Sequence, residues 1–487
     1  MPHNYSHNDD LYLAIDQGGQ SSRAIIFDQR GQIIAQAQRD VEAYQPGPDR
    51  LEYEPLAMLD SISQSIDDVL NQLGERRYKI TAAGLATQRS NICCWDRQTG
   101  DALSPILSWQ DRRAHKWLQQ FQSQTESIHK KTGLFMTAHY GASKLRWCLD
   151  NIPSVQQAYE EHTLALGPMA SFIISNLVQG NPLLTDPINA SRTQLLNIKT
   201  GNWDHELIKL FGLPIETLPQ CVPNLFDYGT IQIDDCPLPL KLVTGDQSAA
   251  MYALGKLQPD TAYINIGTGA FVSRPSGQLQ IYSPHLLTSI ILHKDKQQEY
   301  VLEGTVNGAA SALKWFAHQV GVEDIFSSLE EWLKQSENPP LFLNGVSGLG
   351  SPYWITDFPS QFIGEGTMHE QAAAIVESIV FLLSINLEQM RQLSSPPEQI
   401  QISGGLAQLN GLCQRIADIS HLPVYRPLEA EATARGMAYL LADCPQHWIE
   451  NEPGEWFHPE DNQPLIIRYR QWQEQMDKVV QAMNKDK

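Results

Sequence analysis

The sequence of 487 residues predicts an α/β fold built from two halves of similar architecture. Three observations carry this prediction. Short apolar strands end in glycine bends, helices with apolar stripes lie between the strands, and the outline of strand, glycine bend and strand occurs near residue 11 and again near residue 261. No sequence period of about 20 to 50 residues is visible, which excludes a solenoid.

The opening stretch predicts a meander of three strands. Leu11, Leu13 and Ile15 alternate with less apolar residues, "RAIIFD" follows the bend "DQGGQSS", and "IIAQAQ" follows the turn "QRGQ". An apolar stripe at helical spacing starts after Pro55, and "ITAAGLAT" then predicts a strand that carries "QRSN" at its carboxyl end. Ligands collect at this edge of open sheets, so we expect functional residues there.

The second half repeats these features. "LKLVTGDQSAAMYALG" predicts a strand, a turn and a helix, and "TAYINIGTGAFVS" and "IQISGGLAQLNG" predict strands that end in glycine bends. "HEQAAAIVESIVFLLSINLEQM" is apolar nearly all round, which predicts a buried helix. We predict an extended or disordered arm over residues 1–10, a first domain over 11–244 and a second over 245–487.

Composition narrows the class of protein. Lys plus Arg is 35 against 55 for Asp plus Glu, and the net charge of -20 argues against nucleic acid as a partner. Seven scattered cysteines argue against a disulfide framework or a zinc site and for a reducing compartment. The polar start "MPHNYSHNDD" and the absence of a long apolar run predict a cytoplasmic protein with no membrane partner.

The glycine bends suggest a phosphate site. Backbone N–H groups converge at such bends and hold phosphate oxygens, although each bend alone also fits a tight hairpin turn. Asp16 can hold a hydrated Mg²⁺, and the Ser21 hydroxyl and the Arg23 guanidinium can bind phosphate oxygens. The alternative interpretation is that these residues form a turn cap and a surface ion pair. Asp246, between a strand and a helix, suits either a general base or a helix N-cap.

These motifs together resemble the FGGY carbohydrate kinases, and within them the glycerol kinases, from about residue 11 to 445. The resemblance is carried by "AIDQGGQSSRAIIFD", "TQRSN", "LSWQDRRA", "DPINASRTQLLNIKTGNWD", "GDQSAAMYALG", "NIGTGAF", "GVSGLGSPYW" and "SGGLAQLNG". It implies two actin-like ATPase (ribonuclease H-like) domains, each a mixed sheet flanked by helices, with a cleft between them. The implied activity is ATP-dependent phosphorylation of a hydroxyl of a small polyol or sugar.

The resemblance also implies roles for single residues. It makes Asp246 the general base and Asp16 the carboxylate on the Mg²⁺ side. We expect these two carboxylates to face each other across the cleft. The implied acceptor contacts are Arg89, Ser90, Trp109, His139, Asp246, Gln247 and Phe271. The implied ATP contacts are Asp16, Gly18, Gln20, Ser21, Arg23, Gly267, Thr268, Lys314, Gly404, Gly405 and Asn410.

Several positions depart from the pattern. Ser90 stands where the glycerol kinases have an acid, and His139 stands where they have a tyrosine. The smaller Ser90 leaves room for a longer acceptor, and His139 suits a hydroxyl or an anionic group. Gly19 and Gln20 replace two threonines of the first phosphate loop, and Lys314 replaces a frequent glutamine.

Three functions follow from these observations. The first is a glycerol kinase-like enzyme, the second a kinase for a tetritol, pentitol or ketopentose, and the third a sensor or scaffold that binds ATP or sugar without turnover. The resemblance further implies a homo-oligomer, either a dimer or a tetramer. Fold alone does not separate these functions.

Overall fold

The computed structural model describes residues 10–233, 236–336, 338–428, 431–448 and 453–485, and these form two compact units. Unit one contains the described residues of Met1–Leu257, Ser289–Tyr300 and Glu429–Glu452. Unit two contains those of Gln258–Thr288, Val301–Leu428 and Pro453–Lys487. Of the predicted N-terminal arm, residues 1–9 lie outside the described residues.

Both halves of the chain contain strands and helices, and each begins with consecutive strands as the sequence predicts. The strands are β1 Leu11–Gln17, β2 Ser21–Asp28, β3 Ile33–Asp40, β4 Ala43–Gly47, β5 Arg50–Tyr53, β6 Ile80–Thr87, β7 Ile92–Asp96, β8 Ile106–Leu107, β9 Leu164–Pro168, β10 Leu184–Thr185, β11 Leu196–Asn197, β12 Asn202–Trp203, β13 Gln220–Cys221, β14 Leu225–Ile233, β15 Cys236–Gly245, β16 Thr261–Ile266, β17 Ala270–Gly277, β18 Leu287–Lys294, β19 Gln297–Val306, β20 Leu341–Leu343, β21 Gln361–Ile363, β22 Gln399–Ser403, β23 Val424–Pro427 and β24 Gly454–Phe457.

The helices include the stripe after Pro55 and the apolar helix of the second half. They are α1 Pro55–Leu73, α2 His115–Leu118, α3 Thr125–Thr132, α4 Gly141–Asn151, α5 Pro153–Glu160, α6 Met169–Leu177, α7 Pro187–Ser191, α8 His205–Phe211, α9 Asp246–Ala250, α10 Ala310–Val320, α11 Phe326–Gln335, α12 Met368–Arg391, α13 Asn410–Ser420, α14 Ala432–Leu441 and α15 Gln463–Lys485.

The main sheet of unit one has the strand order β14-β15-β6-β1-β2-β3. Strands β15, β6 and β1 are parallel, whereas β1, β2 and β3 form the predicted antiparallel meander. Helix α1 covers one face through the buried stripe that includes Met58, Ile62 and Ile66. The tip of the β18–β19 hairpin also belongs to this unit, where Lys294 pairs with Leu225.

Unit two repeats this arrangement. Its strand order β24-β23-β22-β16-β17-β19 matches that of unit one, with β23, β22 and β16 parallel and β17 antiparallel to β16. In both units the strand before the parallel set, β14 or β24, runs antiparallel to its neighbour β15 or β23. The duplicated architecture predicted from the glycine bends is therefore confirmed.

The contact pattern divides the chain differently from the predicted boundary at residue 244. Helix α9, which begins at Asp246, belongs to unit one because its backbone packs directly on helix α14. A Cβ atom added at Gly436 would lie 1.9 Å from the carbonyl oxygen of Ala249. The short helix is thereby fixed to the end of β15 rather than to the unit that follows it in sequence.

Helix α12 is the core helix of unit two, as its uniform apolarity predicts. A capping box between Thr367 and Glu370 begins it, and Glu377 forms a buried ion pair with Arg468 of α15. Among the described residues it is the one helix that is long and apolar enough to cross a membrane, but 89% of its apolar window is buried inside the structure. Its composition therefore reflects burial in protein.

Candidate active site

Three parallel strands of unit one end at the same level and carry predicted site residues. Gln17 of β1 and Gly245 of β15 both align with Thr87 at the end of β6. Asp16 therefore lies at the same edge as Asp246, which follows β15, with the end of β6 between the two strands, and the Asp246 charge acts on the Asp16 carboxyl. The functional edge predicted from "QRSN" is the carboxyl edge of this parallel sheet.

The first glycine bend is a hairpin turn in which the backbone of Gly19 lies close to the side chain of Gln88. The N–H of Gly18 donates to the carbonyl of Ser21 at 2.9 Å, and the carbonyl of Gln20 accepts from Val41. A Cβ atom at Gly19 would lie 2.6 Å from the side-chain nitrogen of Gln88. The small residue at position 19 therefore makes room for Gln88, while the Gln20 side chain is exposed.

Charged side chains cluster around Asp16, which is 9% exposed. Burial, the Asp246 carboxylate and the Glu431 carboxylate together raise the pKa of Asp16 to about 7, whereas Arg23 lowers it. The Arg23 guanidinium donates to Glu431 at 3.1 Å and to Gln38 at 3.1 Å. The ion-pair alternative for Arg23 is thus present, with a partner at the start of α14. The expected arrangement of Asp16 and Asp246 across a cleft is replaced by neighbouring carboxyls in one unit.

Asp246 is the first residue of α9, and hydrogen bonding fixes the orientation of its carboxyl group. Gly245 occupies the cap position, so the N-cap alternative for Asp246 does not hold. Its Oδ1 accepts the N–H of Gln247 at 2.7 Å, and the Gln247 side chain accepts from Arg89. Burial raises the pKa of Asp246, and the nearby charges of Arg89 and Arg192 oppose that rise.

One buried lysine joins the loops that carry three predicted acceptor contacts. The Lys144 Nζ donates to the carbonyls of Ser90 at 2.8 Å, Ser108 at 2.8 Å and His139 at 3.0 Å. Ser108 precedes Trp109, whose ring lies 5.2 Å from the His139 ring. Lys144 is therefore a shared backbone anchor, because three carbonyls accept its three N–H hydrogens, although burial lowers its pKa to about 7.

The His139 imidazole lies in a cationic environment. Burial lowers its pKa well below the ordinary value, and four positive charges lower it further: Arg112, Lys144, Arg192 and Arg89. A neutral imidazole carries one N–H donor and one acceptor nitrogen. His139 is therefore a neutral hydrogen-bonding group at pH 7.

Unit two places its glycine bends side by side. β16 and β22 are parallel neighbours, and they end at the bends containing Gly267 and Gly404. The Thr268 carbonyl accepts the N–H groups of Ala309 and Ser311 at the start of α10. Gly404 has a φ of 96°, and a Cβ there would lie 2.5 Å from the Ile266 carbonyl oxygen.

The remaining predicted contacts also belong to unit two. Lys314 is exposed on α10, Asn410 begins α13 and accepts from Arg426 at 2.7 Å, and Gly405 follows Gly404. Phe271 lies on β17 of unit two, whereas the other predicted acceptor contacts belong to unit one. The roles given to these residues stay predictions.

Sequence reasoning missed several residues of the unit-one site. Glu431 forms an ion pair with Arg23, which lies 408 positions earlier in the sequence, and no local motif predicts that contact. Arg192 lies within the quoted motif "DPINASRTQLLNIKTGNWD", whereas Lys144 lies outside the quoted motifs, and the roles of both depend on which loops they join. No local sequence signal indicates these contacts.

Among the described residues, no group of three or more His, Cys, Asp or Glu side chains forms a metal site, and all seven cysteines are free. The two sheets share a corresponding strand order and glycine bends at the carboxyl ends of parallel strands, and unit one adds the carboxylates Asp16 and Asp246 at that edge; together these features define an actin-like ATPase fold. This is the class of phosphotransferases and ATPases that handle a nucleotide at such bends.

Comparisons with known proteins identify the family. The N-terminal domain of the FGGY family of carbohydrate kinases matches residues 11–236, and its C-terminal domain matches residues 262–442. The chain is 33% identical to a glycerol kinase of Polaromonas naphthalenivorans, over 88% of this chain and 89% of the relative. It is 30% identical to a glycerol kinase of Shewanella frigidimarina, over 96% of this chain and 95% of the relative.

A crystal structure of Plasmodium falciparum glycerol kinase with ADP has the same fold, with a TM-score of 0.88 and 24% identity over 96% of this chain and 98% of that one. The chain belongs to the FGGY family of carbohydrate kinases. It is a phosphotransferase that uses ATP to phosphorylate a hydroxyl group of a small polyol or sugar.

Proposed function

We propose that the phosphorylated hydroxyl lies at Asp246, which acts as the general base. The supporting observation is the carboxyl of Asp246 at the end of β15, beside Arg89, Gln247 and Asp16. A carboxyl whose pKa is raised is a stronger base, so it accepts a hydroxyl proton more readily near neutral pH. Arg89 and Gln247, bonded to each other, orient the acceptor hydroxyls.

The proposed phosphate contacts in unit one are the N–H groups of the first bend, Ser21 and Arg23. Glu431 and Gln38 hold the Arg23 guanidinium, which fixes its direction. Phosphoryl transfer depends mostly on positioning and on charge stabilisation, so a guanidinium held in place is well suited to it. In unit two the proposed nucleotide contacts are Gly267, Thr268, Lys314, Gly404, Gly405 and Asn410.

Mg²⁺ is the proposed metal, and Asp16 would hold it. Asp16 is a buried carboxyl, and Mg²⁺ in kinases takes one or two carboxylates together with phosphate oxygens and waters, so Asp246 stays available as the base. When bound, the ion would neutralise charge on the transferring phosphate. We further propose a cytoplasmic homo-oligomer, which gel filtration with light scattering tests.

The variant Asp246→Asn tests the base. We expect substrate-dependent ADP release to fall by about 10² to 10⁴-fold, because the amide cannot take the proton. Binding of the nucleotide, measured by calorimetry, should remain. Asp227→Asn is the control, since Asp227 is an exposed acid paired with Lys241 away from the site. Retained turnover in Asp246→Asn would exclude the base role.

A longer acceptor is the second candidate. Ser90 is a small residue whose hydroxyl is buried with no hydrogen-bond partner. A tetritol, pentitol or ketopentose carries the additional hydroxyls that would meet it. A panel of polyols and sugars with Mg-ATP separates these acceptors from glycerol, and a lack of turnover with every acceptor would favour the non-catalytic binder.

A further inference from the structure

A buried polar cluster lies at the carboxyl ends of β15 and β6. It consists of Asp186, Asn189 and Asn224, which are 0%, 2% and 0% exposed. Polar groups buried this deeply destabilise a protein unless they are hydrogen-bonded. None of the three is a proposed contact of the acceptor or of ATP, so any role in phosphoryl transfer must act through the residues that they hold.

The Asp186 carboxylate orients both amides of the cluster. Its Oδ1 accepts from the Asn189 side chain at 2.8 Å, and its Oδ2 accepts from the Asn224 side chain at 3.0 Å. Oδ2 also accepts the backbone N–H groups of Ile188 and Asn189 at the start of α7. An ionised carboxylate only accepts hydrogen bonds, so each amide must turn its nitrogen towards Asp186. One N–H of each amide then remains for a second acceptor.

This second N–H donates to a carbonyl of β15 in both cases. Asn189 donates to Thr244 at 3.1 Å, and Asn224 donates to Val243 at 2.8 Å. Thr244 precedes Asp246 by two residues. The cluster therefore fixes the end of the strand that carries the proposed base.

The Asn189 amide also reaches β6. Its Oδ1 accepts from the hydroxyl of Thr87, the last residue of β6, at 3.3 Å. Arg89 follows Thr87 by two residues, and a Cβ atom at Gly245 would lie 2.6 Å from the aliphatic part of the Arg89 side chain. Asn189 therefore joins the two strand ends that lead to the proposed base and to Arg89.

We propose that Asn189, oriented by Asp186, is a positioning residue for phosphoryl transfer. By joining β15 to β6 it holds the Asp246 carboxyl in place relative to the Arg89 guanidinium, which orients the acceptor. A displacement of about 1 Å at a reacting group lowers a rate by about 10²-fold, so a side chain that touches neither substrate can control kcat. This proposal rests on the proposed function, since it takes Asp246 as the base.

A double-mutant cycle tests whether Asn189 acts through the base. We expect Asn189→Ala to lower kcat by about tenfold or more in the wild-type background and by less than about threefold in the Asp246→Asn background, which has no base to displace. A purely structural defect would lower kcat equally in both backgrounds. Asn176→Ala is the control, because Asn176 of α6 also donates to two backbone carbonyls, those of Gly100 and Phe172. Its kcat should stay within about twofold of the wild type.

The outcomes separate this proposal from the function on which it rests. Equal falls in the two backgrounds, or an unchanged kcat in Asn189→Ala, would overturn the positioning role and leave the kinase function intact. Full turnover in Asp246→Asn alone would remove the base role, and the positioning role with it.

A matched pair of variants at position 87 tests the link to β6 separately. Thr87→Val removes the hydroxyl at nearly constant size, and Thr87→Ser keeps it. We expect Thr87→Val to raise the KM of the acceptor by about threefold or more through Arg89, with the KM of ATP within about twofold, and Thr87→Ser to resemble the wild type. Equal acceptor KM values in the two variants would overturn the link. If Asn189→Ala does not fold, this pair decides.

Discussion

Replacing Lys144 with methionine tests the backbone anchor beneath the acceptor loops. The variant keeps a long side chain but removes three hydrogen bonds, to the carbonyls of Ser90, Ser108 and His139. A hydrogen bond to a charged group contributes roughly 1.5–3 kcal/mol, so the gross loss is about 4.5–9 kcal/mol. The methionine side chain avoids the desolvation cost of burying an ammonium, which offsets part of this loss. The expected net cost is about 3–5 kcal/mol of unfolding free energy.

Urea unfolding would measure the loss of stability. Steady-state kinetics would show whether the substitution also changes binding of the acceptor. We expect the KM of the acceptor to rise by about tenfold or more, because three loops lose their common support, while the KM of ATP changes by less than about twofold. Lys130→Met is the control, since Lys130 forms an exposed ion pair with Glu126. A Lys144→Met enzyme within about 1 kcal/mol of the wild type and with an unchanged acceptor KM would refute the reasoning.

Two further predictions concern a buried acid and a close helix contact. Burial raises the pKa of Asp186 to about 6 despite hydrogen bonds from neighbouring N–H groups. The folded state therefore holds this proton where the unfolded chain releases it, so the unfolding free energy should fall by about 2 kcal/mol between pH 4 and pH 7. Asp186→Asn should flatten this decline in urea titrations, and an identical pH profile would contradict the assignment. Gly436→Ala should cost about 1–3 kcal/mol and lower kcat, because its Cβ would collide with the backbone of the helix that carries Asp246. Gly47→Ala, which meets only Arg50 at 3.6 Å, is the control for unfolding and kcat, and equal effects would refute the contact.

The sequence predicted the frame of unit one because its signals are local. Alternation of apolar residues gave β1, and the stripe after Pro55 gave α1, with its buried face as expected. The residues "QRSN" were placed correctly at a carboxyl edge, since a short apolar run between a helix and polar residues has few other readings. The uniform apolarity of α12 likewise identified a core helix.

The parts that sequence reasoning did not reach depend on contacts between distant segments. Helix α9 joins unit one because Gly436 lets α14 approach its backbone, and a glycine in a helix gives no sign of its partner. The Arg23 to Glu431 ion pair has the same origin. Asp246 as a helix cap was a reasonable alternative that only the local geometry, with Gly245 at the cap, could remove.

The anchoring lysine has a consequence for which substitutions this enzyme can accept at its acceptor loops. Lys144 bonds only to carbonyl oxygens, which every amino acid provides, so it places no demand on the side chains at positions 90, 108 and 139. A substitution at position 90 or 139 would therefore change the side chain offered to the acceptor and leave the hydrogen bonds of the backbone anchor in place.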